Sequence, residues 1–445
     1  MFHLLNWIPG CRGPQYIEYS SEKSPQVIPD HRPTFLHVPP PPARPIPESR
    51  HQRRLIDEDF PRVFRNVSNN TKYKRYPMHE ETFEVTRSPP RDASPQPRVP
   101  RREISRRTRG RGDNFSSRAT DGSHNSAAAR RRIADETLAA IERGEIQLQG
   151  STYRFRDVIS HSINNTIYFS PDSILADWST SSPDSPVMMP AKLELCEGST
   201  LQRARVLLQE LNTGTAGDGA GQARVGVLSF ASATKPGGGF LSGAQAQEES
   251  LARASTLYAS LVTETASRFH DLHKKDRRGG FYSHAMIFSP SVVVLRDDAG
   301  AWVPPHQIDV VTSAAVNAGI VRERAGEDSA PDTAARIEGV MRERMARILF
   351  LFEQQGVRNI VLGSFGTGVF RNDISMIADI WFDLLAEEGA RYMHSFDRVV
   401  FGIIDKRTVE RFKAVFESRI EGQNALTWDS ETSSATSRSV LRVVE

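Results

Sequence analysis

From about residue 128 onward the apolar positions fall into two rhythms, and before that point into neither. In "AAARRRIADETLAAIERGEI" the residues Ile133, Leu138, Ala140 and Ile141 recur at broadly helical spacing among good helix formers. "STLQRARVLLQELN" predicts a second helix, and "ARVGVLSFAS" (223–232) a buried strand that runs straight into the glycines of "KPGGG". Beyond those glycines "EESLARASTLYASLV" sets Leu251, Ser255, Tyr258 and Leu261 on one helical stripe. The unit is strand, glycine-rich turn, helix.

The alternation continues to about residue 420. "MIFSPSVVVLR" (286–296) predicts a strand, and "RIEGVMRERMARILFLFEQQG" (336–356) a long helix ended by glycine. "NIVLGSFGTG" (359–368) predicts a second strand with a glycine loop. A helix in "DISMIADIWFDLLAEEG", a strand in "RVVFGIID" and a last helix in "KRTVERFKAVFESRI" complete the series. Strands that alternate with helices imply an α/β fold, with a mostly parallel or mixed sheet covered on both faces. Such sheets bind ligands at the carboxyl ends of their strands, where both glycine loops fall. No internal repeat is visible.

Composition separates the ends from this body. Residues 1–130 hold 18 of the 27 prolines, including "HVPPPPARPIP", and carry 23 lysines and arginines against 14 acids. The whole chain is only +3, so the basicity belongs to that segment. A stretch with so little apolar periodicity cannot offset its chain entropy, and residues 1–127 are expected to be a disordered basic region. The segment 421–445, which begins "EGQNALTWDSETSSATSRSV", is expected to be a disordered tail. "RREISRRTRGRG" (101–112) concentrates arginine, which suits nuclear import or weak nucleic-acid contact as well as a solvated linker. The start "MFHLLNWIPGCRGPQ" is apolar but short, lacks a basic leader and cannot span a bilayer. The expectation is a nuclear or cytoplasmic protein, not secreted and without a membrane partner. Cys11 and Cys196 lie far apart and suggest neither a disulfide framework nor a metal site.

"KPGGG" and "GSFGTGVF" each offer bare backbone amides after a buried strand. Consecutive N–H groups in such turns form anion-binding concavities, and a diphosphate is the natural guest. Plain turn glycines explain either loop alone, and two together point more strongly to a ligand. No G-x-x-x-x-G-K-[ST] run, H-E-x-x-H pair or zinc-spaced cluster is present, which favours phosphate binding without phosphoryl transfer. Glu248 and Glu249 open a predicted helix, where acids also serve the helix dipole without any catalytic role. A close like charge and partial burial would raise the pKa of one of them, as a catalytic acid needs. Adjacent helical residues point about 100° apart, so the two acids can face different parts of a substrate.

"PGGGFLSGAQAQEE" resembles the signature of the bacterial, or microbial-type, poly(ADP-ribose) glycohydrolases: three glycines, a short spacer and Gln-Glu-Glu. "LGSFGTGVFRND" resembles the phosphate-holding loop of the same macrodomain-like fold, and "RRRIADETLAAIERG" the family's first helix. The likeness covers roughly residues 128–420 and implies a three-layer α/β/α catalytic domain over that range. It implies as substrate poly(ADP-ribose) or ADP-ribosylated proteins, cut from the polymer end with no metal and no cofactor. Glu249 would protonate the leaving 2′-oxygen and then deprotonate the attacking water, while Glu248 would hold the hydroxyls of the reacting ribose. Gln247 would orient the site, and Gly237, Gly238, Gly239, Gly366, Thr367, Gly368 and Val369 would line the diphosphate. Phe370 matches an aromatic that packs on the distal ribose, with plain core packing as the alternative.

The chain departs from the pattern at two positions. Lys235 stands where asparagine is frequent, and Ile404 where an aromatic often stacks on adenine. Tyr258 and Asn317 fall in stretches similar to the family's, with core packing and a turn as their default roles. Hydrolysis of protein-linked mono(ADP-ribose) and non-catalytic reading of ADP-ribose are the alternative functions.

Overall fold

The computed structural model describes residues 84–87, 126–181, 189–214, 223–275, 279–326, 330–428 and 441–444. All of them belong to the unit Leu55–Glu445. The arginine run at 101–112 and most of the basic region lie outside the described residues.

Helix α1 (Ala127–Arg143) starts where Ser126 accepts the Ala129 N–H on its side chain, and stops at Gly144 with φ +70°. Those are a regular N-cap and a left-handed C-cap, which explains why the helix begins where the apolar rhythm does. After it come β2 (Glu145–Leu148) and β3 (Ser151–Arg154), which form an antiparallel hairpin joined by β1 (Glu84–Arg87). The main sheet holds β4 (Ile167–Phe169), β5 (Lys192–Glu197), β6 (Gly226–Phe230), β7 (Met286–Arg296), β8 (Trp302–Ser313), β9 (Asn359–Leu362), β10 (Arg398–Ile403) and β11 (Leu441–Val444). Their order is β11-β5-β10-β9-β6-β8-β7-β4. From β11 to β8 every neighbouring pair is parallel, whereas β7 is antiparallel to both β8 and β4.

Alternation along the strands builds two cores. Leu228, Val311, Ile360 and Phe401 face one side, against the helix Ala330–Gln354 through Met341, Met345 and Leu349 and against Trp381 of the helix Ile374–Leu385. Val227, Val310, Val361 and Val400 face the other, against Leu207 of the helix Thr200–Gly214 and Phe269 of the helix Glu264–Lys275. Helices therefore cover both faces of one mixed sheet, a three-layer α/β/α architecture of macrodomain-like type.

The structure departs from the hydrophobic pattern in three places. The stripe from Leu251 to Leu261 is two helices, Gln247–Ala254 and Leu257–Leu261. Ser255 breaks it: its hydroxyl donates to Leu251 O at 2.7 Å and accepts from Leu257 N–H at 3.2 Å, while its extended backbone bridges to Val294. A serine that satisfies local backbone groups competes with the helix ladder, which spacing cannot reveal. The last helix, Lys406–Trp428, runs past 421, and β11 adds an edge strand beside β5 where a disordered tail is expected. β1 likewise falls within the region expected to be disordered. Runs of four residues are too short for periodicity to mark, and their partners lie far away in sequence.

Candidate active site

Strands β6 and β9 are neighbours, so both glycine loops leave the same edge of the sheet side by side. Gly363 must stay small there, because a Cβ on it would sit 2.8 Å from Gly402 O of β10 and 3.1 Å from the Phe230 ring of β6.

The first loop wraps around the two carboxylates. Gly238 has φ +59°, and a Cβ on it would overlap Glu249 Oε1 and lie 2.9 Å from Glu248 Oε2. Glycine is thus required both by the left-handed backbone and by the closeness of the acids. The Gly239 N–H donates to Glu249 Oε1 at 2.9 Å, and the Ser232 N–H to Glu248 Oε2 at 2.7 Å. The Gly238 N–H is also used, donating to Lys235 O at 3.0 Å. With the Gly237 N–H turned toward the Glu248 carboxyl, all three glycine amides given to a diphosphate meet groups of the protein, and two of them hold carboxylates.

The two acids occupy different surroundings. Glu248 is 2% exposed, and its Oε1 is buried without a partner among the described residues. Burial pushes its carboxyl well above the ordinary range. The Ser232 N–H opposes this, the neighbouring Glu249 charge adds to it, and the Gly237 N–H opposes it again. Glu249 is only half-buried and is fixed through Oε1 alone.

Gln247 sets the angle of their helix. Its Oε1 accepts the Phe230 N–H at 2.8 Å, while Nε2 donates to Leu228 O at 2.7 Å and to Thr200 Oγ1 at 3.2 Å. The side chain extends the β6 ladder like one more residue of a strand.

The second loop is open. The Thr367 N–H returns to Ser364 O, and the N–H groups of Arg371 and Asn372 return to Gly368 O and Gly366 O. Among the described residues none accepts from the N–H groups of Gly368, Val369 and Phe370. Val369 is 78% exposed, and nothing lies within 4 Å of a Cβ placed on Gly368. Three consecutive free amides make a concavity for an anion. Gly366 (φ +77°) anchors the turn, since a Cβ there would lie 2.5 Å from that of Ala315.

Phe370 is half-buried against the larger core, with its ring centroid 6.0 Å from that of Tyr282. Ile404 is 71% exposed beyond the end of β10, and Lys235 is exposed at the first loop. Tyr258 packs on Phe240 at 4.8 Å, and Asn317 caps the helix Ala318–Ala325 by accepting the Ile320 N–H. Tyr258 thus packs as its default role had it, whereas Asn317, expected in a turn, is a helix cap.

Three further residues shape the site to which sequence alone assigned no role. Ser232 supplies the amide to Glu248. Asn372 is buried and donates from Nδ2 to Val316 O at 2.7 Å and Gly366 O at 3.0 Å, tying the second loop to the end of β8. Tyr282 backs Phe370. Only Asn372 had a local signal, an asparagine just after a glycine loop, where this residue type satisfies backbone groups. Among the described residues no group of three or more His, Cys, Asp or Glu side chains could hold a metal ion, and no helix is long and apolar enough to cross a membrane.

A mixed three-layer sheet with an open amide loop and a held carboxylate pair at one edge defines a macrodomain-like glycosidase. A family model described as microbial-type PARG, catalytic domain, matches residues 134–297. The crystal structure of poly(ADP-ribose) glycohydrolase from Thermomonospora curvata is 37% identical, with 66% of this chain and 99% of that one covered and a TM-score of 0.56. The same enzyme bound to the inhibitor ADP-HPD is 36% identical, with 66% and 99% covered and a TM-score of 0.54. Poly(ADP-ribose) glycohydrolase from Deinococcus radiodurans in complex with ADP-ribose is 29% identical, with 62% and 99% covered and a TM-score of 0.50. Comparison with curated proteins gives no match. The chain belongs to the microbial-type poly(ADP-ribose) glycohydrolase family.

Proposed function

We propose that the chain hydrolyses poly(ADP-ribose) from its end, cutting the ribose–ribose glycosidic bond with Glu249 as general acid and then general base. The observation that carries this reading is the pairing of Glu249, fixed through Oε1 by the Gly239 N–H, with three open amides on the adjacent strand's loop. One edge thus offers a carboxyl for the bond and donors for a diphosphate. The ADP-ribose complex of the Deinococcus radiodurans relative supports the choice of ligand.

In this scheme the amides of Gly368, Val369 and Phe370, with Gly366 and Thr367 shaping their loop, take the diphosphate. Gly237, Gly238 and Gly239 line the reacting end around the acids. Glu249 gives its proton to the leaving 2′-oxygen, an oxocarbenium-like ribose forms, and the same carboxylate then takes a proton from the attacking water. Glu248, whose burial shifts its carboxyl toward the neutral form, holds the hydroxyls of the reacting ribose. Phe370 packs on the distal ribose.

The test is release of ADP-ribose from the polymer by wild type and by Glu249→Gln. Turnover is expected to fall by about 10² to 10⁴, the usual worth of a positioned acid, with ADP-ribose affinity nearly unchanged. Full activity in the variant would remove Glu249 from the mechanism. Product analysis on protein-linked mono(ADP-ribose) separates the alternative substrate. We also propose that the arginine run at 101–112 directs the chain to the nucleus and lends weak nucleic-acid contact.

A further inference from the structure

We propose that the surface bordering Phe370 is a track for the polymer beyond the bond that is cut, with Arg322, Arg324, Arg336 and Arg371 meeting its diphosphates and Tyr282 an adenine ring. The inference rests on the functional reading above and says where the rest of the substrate lies.

Arg371 comes directly after Phe370, with φ +56°. That left-handed turn lays its side chain across Gly319, whose Cβ position is 3.3 Å from Arg371 Cδ. Arg322, on the helix Ala318–Ala325, donates to Arg371 O at 2.8 Å, and the Gly319 N–H donates to Phe370 O at 3.1 Å. This helix is therefore moored to the site's aromatic residue. Further along it, Arg324 NH1 lies 3.1 Å from the Cβ position of Gly279. Arg336 stands 4.4 Å over the ring of Phe281, the residue before Tyr282. All four arginines are exposed, and among the described residues none is paired with a carboxylate, although Arg342, Arg347, Arg391, Arg398 and Arg419 of the same body all are. Asp373, the acid nearest in sequence to Arg371, is already engaged as the cap of Met376 N–H at 2.8 Å.

Tyr282 is held rigidly. Its φ is +54°, a strained value for a tyrosine, and the fully buried Arg344 accounts for its persistence by donating to Phe281 O at 2.9 Å and Tyr282 O at 3.4 Å. The half-buried ring stays beside Phe370. A fixed aromatic face among unpaired cations is how proteins hold single-stranded nucleic acid, with phosphates on the cations and bases on the ring. Poly(ADP-ribose) repeats both elements in every unit. The ring at the start of the track is the one that packs on the distal ribose, so the chain leaving the site meets the arginines first.

The experiment measures affinity of the full chain for ADP-ribose and for a poly(ADP-ribose) oligomer of defined length. Wild type is compared with the double variant Arg324→Glu/Arg336→Glu and with Tyr282→Asn, since asparagine tolerates the left-handed backbone. The double variant is expected to lose about tenfold or more in oligomer affinity, and its oligomer binding should depend less steeply on salt. Tyr282→Asn is expected to lose about fivefold or more. ADP-ribose affinity of the double variant stays within about twofold, because single units do not reach the track. Unchanged oligomer affinity in both variants overturns the proposal, as does an equal loss for monomer and oligomer in the double variant. Competition by polyglutamate as effective as the oligomer assigns the arginines to an acidic protein and overturns it too. A wild type that binds no ADP-ribose is a separate result, in which the functional reading fails and takes this inference with it.

Discussion

Burying Glu248 ties its ionisation to the stability of the fold. Its folded pKa lies above the ordinary 4.5, so the folded chain keeps a proton that the unfolded chain releases. Stability from this group is therefore greatest below about pH 4.5 and falls as pH rises toward the folded pKa. Glu248→Gln carries a permanently neutral group of the same shape. The wild-type melting temperature is expected to drop more between about pH 5 and pH 8 than that of the variant, and parallel curves would refute the burial argument. His270, buried with its pKa lowered to about 4, acts with the opposite sign as pH falls below 6.5. It is common to both chains and cancels in their difference. The adjacency of the two acids in "QEE" was enough to say that one would be hard to ionise. Which one was decided by burial, which outweighs the opposing amide of Ser232, and burial is not visible in a pair of identical letters.

At the scale of elements, the strand–loop–helix unit of β6 was legible because a mostly apolar strand is followed within a few residues by a run of three glycines and then by a helical pattern. β7 was legible to its ends, Met286 and Arg296, because two apolar runs rich in β-branched residues flank Ser289–Ser291. β5 was not, because Glu194 sits inside it and looks like a surface residue until Arg398 is seen to pair with it at 2.7 Å from the neighbouring strand. Gln247 shows how a side chain can stand in for secondary structure. Gln247→Leu leaves the Phe230 N–H and the Leu228 carbonyl without their partner, a cost of about 2 to 4 kcal/mol for two backbone groups. The denaturant midpoint should fall with an unchanged slope, and kcat should fall with it because the helix that carries both acids is no longer held to the strand. An unchanged midpoint would show that water replaces the amide without loss.

At the scale of the whole molecule, charge and fold are segregated along the chain. Residues 1–130 carry 23 basic against 14 acidic side chains, yet the whole chain is only +3, so the body built on the sheet is net negative although its substrate is a polyanion. A negative body repels such a substrate at long range, so attraction has to come from local groups: the open amides, the unpaired arginines beside Phe370 and the basic segment ahead of Ser126. Helix α1 marks the join. It docks on the site's framework, with Arg130 donating to Gly243 O at 2.7 Å and the Thr137 hydroxyl to Arg253 O at 2.8 Å, and its cap at Ser126 ends the helix on the side of the basic segment. Deleting residues 101–112 should therefore leave hydrolysis of short oligomers unchanged while shifting the protein from nucleus to cytoplasm, read by imaging a tagged full chain beside the deletion. An unchanged distribution would return the arginine run to a linker, and a loss of short-oligomer turnover would show instead that the run reaches the active site.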